Sequence, residues 1–113
     1  MNDNLITSQI FNEKNITSII LYLHFFGART RSEIYNIVST NPRMPVKLDL
    51  LSRHGLITMD ERENGHRRVV DLTPLGKKYA ATICSLEKQS GGNVESFKWD
   101  VLRTMLNDAQ RGN

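Results

Sequence analysis

The chain has 113 residues, of which 39% are hydrophobic and 24% charged, a composition typical of one soluble globular domain with a modest core. The formal net charge is +3, and the positive excess lies in the middle, where residues 29–78 carry ten Lys and Arg against six Asp and Glu. Such an excess suits an anionic partner. The single cysteine, Cys84, excludes an intrachain disulfide. The longest apolar run, residues 16–26, is too short to cross a membrane and lacks the features of a signal peptide, so we expect a cytoplasmic protein.

Residues 1–14 form a lead-in that precedes the first firm helix. This helix is predicted to run from about Asn15, which can cap it, to Phe26, with Gly27 as a plausible stop. The second helix is predicted to begin in residues 30–33 (TRSE). This stretch is a capping box, in which the Thr and Glu side chains satisfy each other's backbone N–H groups.

Two prolines leave two possible starts for the third predicted helix. Asn41-Pro42 fits a cap followed by a first-turn proline, whereas Pro45 would put the start about one turn later. Gly55 is a strong stop. Spacing of four and three residues predicts a buried face made of Met44, Leu48 and Leu51. The residues expected to point outward are Arg43, Val46 and Lys47, with Leu50 as a further candidate.

Asn64-Gly65 predicts a β-hairpin, because both residue types accept the positive φ of a type I′ turn. The two strands would cover about residues 56–62 and 67–72. With a two-residue turn, Met59 lies opposite Val70, and one face of the hairpin is then apolar as a half-buried hairpin requires.

The other face of this hairpin would bring two arginines together. Arg62 stands opposite Arg67, and like charges in a cross-strand pair repel each other. An anion bound between the two guanidinium groups would remove the repulsion. The alternative is a solvated face, on which Arg67 pairs with Asp60 and Glu61 pairs with Arg68.

Two further helices follow the hairpin. Thr73-Pro74 begins a fourth helix that reaches about Gln89, and the flexible joint at residues 90–92 (SGG) leads to a last helix within residues 93–110. The last helix carries an apolar stripe made of Val94, Phe97, Val101, Leu102, Met105 and Leu106. Because the other elements already supply a small core, we expect a two-fold homodimer to bury this stripe, together with the fourth helix and the lead-in. The alternative is that the helix folds back on its own domain.

Three helices, a two-stranded hairpin and a further helix, in this order, form a winged helix-turn-helix. We therefore expect an α+β, mainly helical fold, with this domain at residues 15–89, a two-stranded wing and an additional C-terminal dimerisation helix. In such a fold the third helix enters the DNA major groove, and the wing follows the backbone or the minor groove. The paired arginines of the hairpin would then bind phosphates.

Three stretches between Ile19 and Leu86 resemble winged-helix transcription regulators of the MarR, PadR and HxlR type, especially small archaeal members. They are residues 30–34 (TRSEI), residues 48–57 (LDLLSRHGLI) and residues 72–76 (LTPLG). In this family GLI leads into the first wing strand, and LTPLG ends the second strand and caps the next helix. The resemblance implies a sequence-specific, double-stranded DNA-binding regulator of transcription. With the dimer expected from the last helix, we predict a homodimeric repressor that acts without a cofactor.

The resemblance also indicates which residues contact DNA. Arg43 and Lys47 can read guanine edges or hold phosphate, and Val46 can touch a thymine methyl group; the alternative is that the two cations are only solvated. At the start of the second helix, the residues that can donate to a phosphate are Thr30, Arg31 and Ser32, although helix capping explains Thr30 equally well. The wing contributes Arg62, Asn64, His66, Arg67 and Arg68.

Other functions have less support in the sequence. No serine, histidine and acid cluster, phosphate loop or pair of carboxylates indicates an enzyme, and the three histidines lack metal-ligand spacing. Cys84 has no adjacent basic pair and is expected to be a structural thiol rather than a redox sensor. The main alternative is a winged-helix protein-interaction module of transcription or replication machinery, whose mark would be an acidic or apolar third helix.

Overall fold

The computed structural model describes residues 3–60 and 68–111. Over these ranges the fold is α+β and mainly helical, and its element order is compatible with a winged helix-turn-helix. In chain order the elements are α1 (Ile6–Ile10), α2 (Ile16–Phe26), β1 (Arg29–Thr30), α3 (Arg31–Ile37), α4 (Met44–Arg53), β2 (Ile57–Asp60), β3 (Val69–Leu72), α5 (Pro74–Gln89) and α6 (Val94–Arg111). In the described ranges no helix is both long enough and apolar enough to span a membrane.

Helix α2 lies at the centre of the core. Its buried residues are Ile16, Ile19, Ile20, Leu21, Tyr22 and Leu23. The predicted stop is confirmed, because Gly27 has a φ of 81° and its N–H donates to the carbonyl oxygen of Leu23 at 2.9 Å. The predicted cap is wrong. Asn15 precedes the helix with a φ of 71°, and its side chain caps no N–H group of the described helix.

Helix α4 begins at Met44, the later of the two predicted starts. The residues before it form a turn, in which the Asn41 side-chain oxygen accepts from the Arg43 N–H at 2.8 Å and the Asn41 carbonyl accepts from the Met44 N–H at 3.0 Å. Pro45 then lies in the first turn of the helix, where its missing N–H is not needed. Gly55 follows the helix with a φ of 75°, as expected for a glycine stop.

The strands form a three-stranded antiparallel sheet in the order β1-β3-β2. The predicted register is confirmed, since Met59 pairs with Val70. The prediction of two strands is wrong, because β1 pairs with the other edge of β3, with Arg29 opposite Val70. Strand β1 has only two residues and runs directly into a helix, so it has no alternating pattern that would identify it.

A close backbone contact joins the start of β2 to the start of α5. The Leu56 carbonyl accepts from the Thr73 N–H at 3.0 Å, and a Cβ added to Gly76 would lie only 2.1 Å from the same carbonyl oxygen. Thr73 caps α5 by accepting from the Gly76 N–H at 3.0 Å, and its hydroxyl donates to the Gly55 carbonyl at 2.6 Å. A side chain at position 76 therefore cannot be accommodated without moving the two elements apart.

Helix α6 folds back on the core of its own chain. The N–H of Gly92 donates to the Glu87 carbonyl at 2.7 Å, and Gly91 adopts a φ of 84°, so the chain reverses directly after α5. Val101 is buried in the common core, and Phe97 and Met105 pack against it. The expectation that a second subunit must cover the whole stripe is therefore wrong for these three residues. The reversal brings α6 against α2, α3 and α5, which cover that side of the stripe.

One side of α5 faces outward rather than into the core. Its buried residues are Gly76 and Ala80, whereas Leu75 is 44% and Leu86 54% exposed. With Phe11 and the other apolar residues of this side, they line an open cavity of about 420 Å³ between α5 and the α1 region. Leu102 and Leu106 of α6 are likewise exposed.

We expect Gly76→Ala to destabilise the protein by about 1–3 kcal/mol, because the added methyl group collides with the Leu56 carbonyl. Helix propensity alone predicts the opposite sign, since alanine favours helix over glycine. Urea unfolding followed by circular dichroism measures the difference. Gly92→Ala is the comparison, because the added methyl group would meet the flexible end of the Glu87 side chain, and the nearest backbone atom, the Glu87 carbonyl oxygen, is 3.1 Å away rather than 2.1 Å. A Gly76→Ala protein as stable as the wild type would contradict the contact.

Candidate nucleic-acid interface

The first turn of α3 is held by hydrogen bonds that involve Thr30 and Glu33. The Thr30 hydroxyl oxygen accepts from the Glu33 N–H at 3.1 Å, and the Glu33 carboxylate accepts from the Thr30 N–H at 3.2 Å. Arg29 donates to the other carboxylate oxygen at 3.2 Å. Partial burial opposes ionisation of Glu33, but these hydrogen bonds outweigh it and hold the pKa of the carboxyl below its ordinary value. The predicted capping box is confirmed, and capping accounts for Thr30.

Arg31 and Arg68 line the same open cavity, of about 490 Å³, together with Thr30 and Ser32. Arg31 is partly buried, and its Nη2 donates to the Sδ atom of Met59 in β2 at 3.4 Å. Its Nε is buried and has no hydrogen-bond partner among the described residues. Because a thioether is a weak acceptor, the Nη groups of Arg31 keep donors that can bind an anion. The cavity lies where the first residue of α3 meets the residue that precedes β3.

Lys47 does not point outward as predicted. It is 2% exposed, and its Nζ donates to the side-chain oxygen of Asn15 at 3.1 Å. The reason is helix geometry: position 47 is three residues after Met44 and four before Leu51, so it belongs to the buried face. The prediction that Lys47 reads a base or holds a phosphate is therefore wrong, because its ammonium group is enclosed by the protein.

The exposed side of α4 carries fewer positive charges than the sequence predicted. Val46 is 44% exposed, and Asp49 and Arg53 are exposed as well. Arg43 lies just before the helix and is exposed, but its Nη2 donates to the Glu13 carboxylate at 2.5 Å. This hydrogen bond lowers the pKa of the Glu13 carboxyl and raises the pKa of Arg43. Of the residues expected on this face, Arg43 and Val46 remain available to a partner.

Four of the predicted wing residues lie outside the described residues. They are Arg62, Asn64, His66 and Arg67. The position of these side chains, and with it the choice between an anion site and a solvated face, therefore stays a prediction. Arg68 is described and exposed.

Sequence reasoning missed three residues that contact the predicted site. Glu13 and Asn15 lie in the loop between α1 and α2. They bind the side chains of Arg43 and Lys47, which are 30 and 32 positions later in the chain. Met59 was predicted only as an apolar strand residue, but its sulfur accepts from Arg31. No local pattern could identify these contacts, whereas the burial of Lys47 follows from its spacing to Met44 and Leu51.

Neither the cysteine nor the metal-ligating residue types form a reactive site among the described residues. Cys84 is partly buried, and burial raises the pKa of its thiol, which favours a structural role over a reactive one. In the part of the chain that the structure describes, no cluster of His, Cys, Asp and Glu could hold a metal ion. The cavity at Arg31 and Arg68 is therefore the site with the clearest chemistry.

We expect Lys47→Met to be neutral or stabilising, because a methionine fills similar volume without the cost of burying a charge. Asn15→Gly should destabilise the protein by about 1–3 kcal/mol, since it leaves the buried ammonium without its acceptor while glycine tolerates the positive φ at this position. In the double variant the loss should disappear. Unfolding free energies of the four proteins test this coupling, and an additive loss would contradict the buried contact.

Comparison with known proteins returned no family: no protein-family model matches the chain, and no curated protein matches it.

Proposed function

We propose that this chain is a cytoplasmic, homodimeric repressor of transcription that binds double-stranded DNA in a sequence-specific way, without cofactor or catalytic activity. In this proposal α3 and α4 form the helix-turn-helix of a winged helix-turn-helix domain, α4 enters the major groove, and β2 and β3 form the wing. The observation that carries it is the cavity lined by two arginines, Arg31 at the start of α3 and Arg68 directly before β3.

The chemistry of this cavity suits a backbone phosphate. A guanidinium group binds a phosphate through paired donors, and two such groups at one opening can hold a single anion from both sides. The Ser32 side chain is exposed at the same opening and can donate a further hydrogen bond. Contacts of this type orient a protein on the duplex without reading sequence. Arg43 and Val46 of the α4 region are the residues that we assign to base edges.

The face of α4 also gives support to a second candidate, a protein-interaction module. The burial of Lys47 leaves this face with exposed Val46 and the opposite charges of Asp49 and Arg53. The charge of Arg43 is balanced by Glu13. A nearly neutral helix face with an apolar residue is compatible with docking to another protein. Binding of duplex DNA at low salt separates the two candidates, because only the regulator requires it.

We expect Arg31→Ala and Arg68→Ala each to weaken binding to all duplex sequences alike. Each loss should lower the slope of log affinity against log salt by roughly 0.9, the value for one phosphate contact. Fluorescence anisotropy with a labelled duplex of arbitrary sequence, over a series of salt concentrations, measures both quantities.

Lys88→Ala is the charge-matched control for this experiment. Lys88 is an exposed cation in the last turn of α5, so its removal changes the net charge equally but lies outside the proposed DNA interface and outside the proposed dimer contact. Its salt slope should stay at the wild-type value. A wild-type protein that does not bind duplex DNA at low salt would overturn the proposed function. Equal slopes in all variants would mean that the two arginines of the cavity do not contact phosphate.

The proposed homodimer uses the apolar residues that α6, α5 and α1 leave exposed. Trp99, Leu102 and Leu106 follow one another at spacings of three and four along α6, so they share one side of the helix, and Trp99 and Leu106 are each 63% exposed. Leu75 and Leu86 of α5 are exposed too. A two-fold contact through these helices would present two α4 helices to successive major grooves, about 34 Å apart.

We expect Leu106→Lys to raise the dissociation constant of the dimer on the order of a hundredfold or more. Both subunits contribute Leu106 to a two-fold interface, so one substitution removes two buried leucines. Sedimentation equilibrium measures this constant. Asn107→Lys adds the same charge at the neighbouring exposed position and should leave the dimer intact. A dissociation constant that is the same in both variants would contradict a dimer through α6.

A further inference from the structure

Two contacts join the loop between α1 and α2 to the start of α4. The Glu13 carboxylate accepts from Nη2 of Arg43 at 2.5 Å, and the Asn15 side-chain oxygen accepts from Nζ of Lys47 at 3.1 Å. The Glu13 side chain is 23% exposed, whereas the Arg43 side chain is 59% exposed. The carboxylate is thus the less exposed member of the pair, while the guanidinium group that it binds is open to solvent.

Glu13 is the negative charge in this cluster, and two positive charges act on it. The hydrogen bond from Arg43 holds the pKa of the Glu13 carboxyl below its ordinary value, and the charges of Arg43 and Lys47 act in the same direction. Glu13 is therefore ionised at neutral pH. Lys47 is enclosed and cannot reach a ligand, so Arg43 is the member of the pair of cations that can exchange Glu13 for an external anion.

We propose that Glu13 is a built-in competitor for the nucleic-acid phosphate at Arg43, and that it suppresses binding to duplexes of the wrong sequence. The proposal rests on the proposed function, since it concerns the same surface. A carboxylate and a phosphate present similar oxygen pairs to a guanidinium group, so the two anions compete for the same donors. Any phosphate that binds Arg43 must displace Glu13 or remain next to its negative charge.

This competition acts unequally on right and wrong sequences. Non-specific binding consists almost entirely of phosphate contacts, so a contact that must first displace Glu13 adds little to it. A guanine in the right position offers Arg43 two acceptors of the base edge, which a carboxylate does not repel as it repels a phosphate. Glu13 thus disfavours the wrong partner, which is one general way in which proteins obtain specificity.

Glu13→Gln tests the proposal in the anisotropy titration with a duplex of arbitrary sequence. We expect an affinity roughly two- to fivefold higher than that of the wild type, the range of one exposed ion pair. The salt slope should steepen by up to about 0.9, because Arg43 becomes available for one more phosphate. Asp100→Asn is the matched control: it removes an equal charge from an exposed position on α6, where Asp100 pairs with Arg103, away from the side that carries Trp99 and Leu106, and should change neither quantity.

A second comparison distinguishes competition from plain repulsion between Glu13 and DNA. In an Arg43→Ala background, Glu13→Gln should leave the affinity unchanged, because the group for which it competes has been removed. A gain of the same size in both backgrounds would overturn the competitor role. So would a Glu13→Gln protein that binds like the wild type. A wild type without any affinity for duplex DNA would instead refute the proposed function.

The side-chain carboxyl ¹³C signal of Glu13 gives a readout that does not depend on affinity. With a duplex of arbitrary sequence bound, this signal of the wild type should stay near its position in the free protein, because Glu13 keeps Arg43 from the phosphates. A signal that moves to its position in the Arg43→Ala protein would mean that phosphate displaces Glu13, and this would overturn the suppression of non-specific binding. Glu13→Asp, which keeps the charge but shortens the side chain, should show a smaller gain of affinity than Glu13→Gln.

Discussion

The buried face of α4 determines what this chain can offer a partner. Met44, Lys47, Leu48 and Leu51 are each at most 2% exposed, and burial of the three apolar side chains contributes about 1.5–3 kcal/mol each. Burying the Lys47 ammonium opposes this by several kcal/mol before its contacts are counted. The apolar residues therefore set the rotation of the helix, and Lys47 is buried because it lies on their face. Its hydrogen bond to Asn15 reduces the cost.

The rotation of α4 explains an unusual feature of the loop between α1 and α2. Asn15 adopts a φ of 71° and gives up the role of helix cap, although asparagine is among the best capping residues. Its side-chain oxygen is instead committed to Lys47, which is the buried charged residue of the described core. Glu13 lies two positions away and balances Arg43. A short loop thus compensates both cations at the start of α4, one buried and one exposed.

The parts of the fold that could be predicted are those that depend on neighbouring residues. The capping box at Thr30, the glycine stop after α2 and the pairing of Met59 with Val70 each follow from chemistry within a few positions of a helix end or a turn. Strand β1 could not be predicted, because its hydrogen bonds go to a strand about forty residues later, as the pairing of Arg29 with Val70 shows. Lys47 differs from both cases. Its spacing to Met44 and Leu51 was visible, but its charge suggested an exposed position.

The distribution of charge also differs between the sequence and the folded chain. The sequence places the positive excess in residues 29–78 and predicts a cationic third helix, but in the folded chain Lys47 is buried and Arg43 is paired with Glu13. The exposed face of α4 then carries the opposite charges of Asp49 and Arg53. Of the described residues, Arg31 and Arg68 then provide the cationic opening. They are brought together by the pairing of Thr30 in β1 with Val69 in β3 rather than by one helix face. A duplex bound here would gain most of its electrostatic attraction beside the wing. The α4 face would contribute little non-specific attraction, which leaves the contacts of Arg43 and Val46 to decide between sequences.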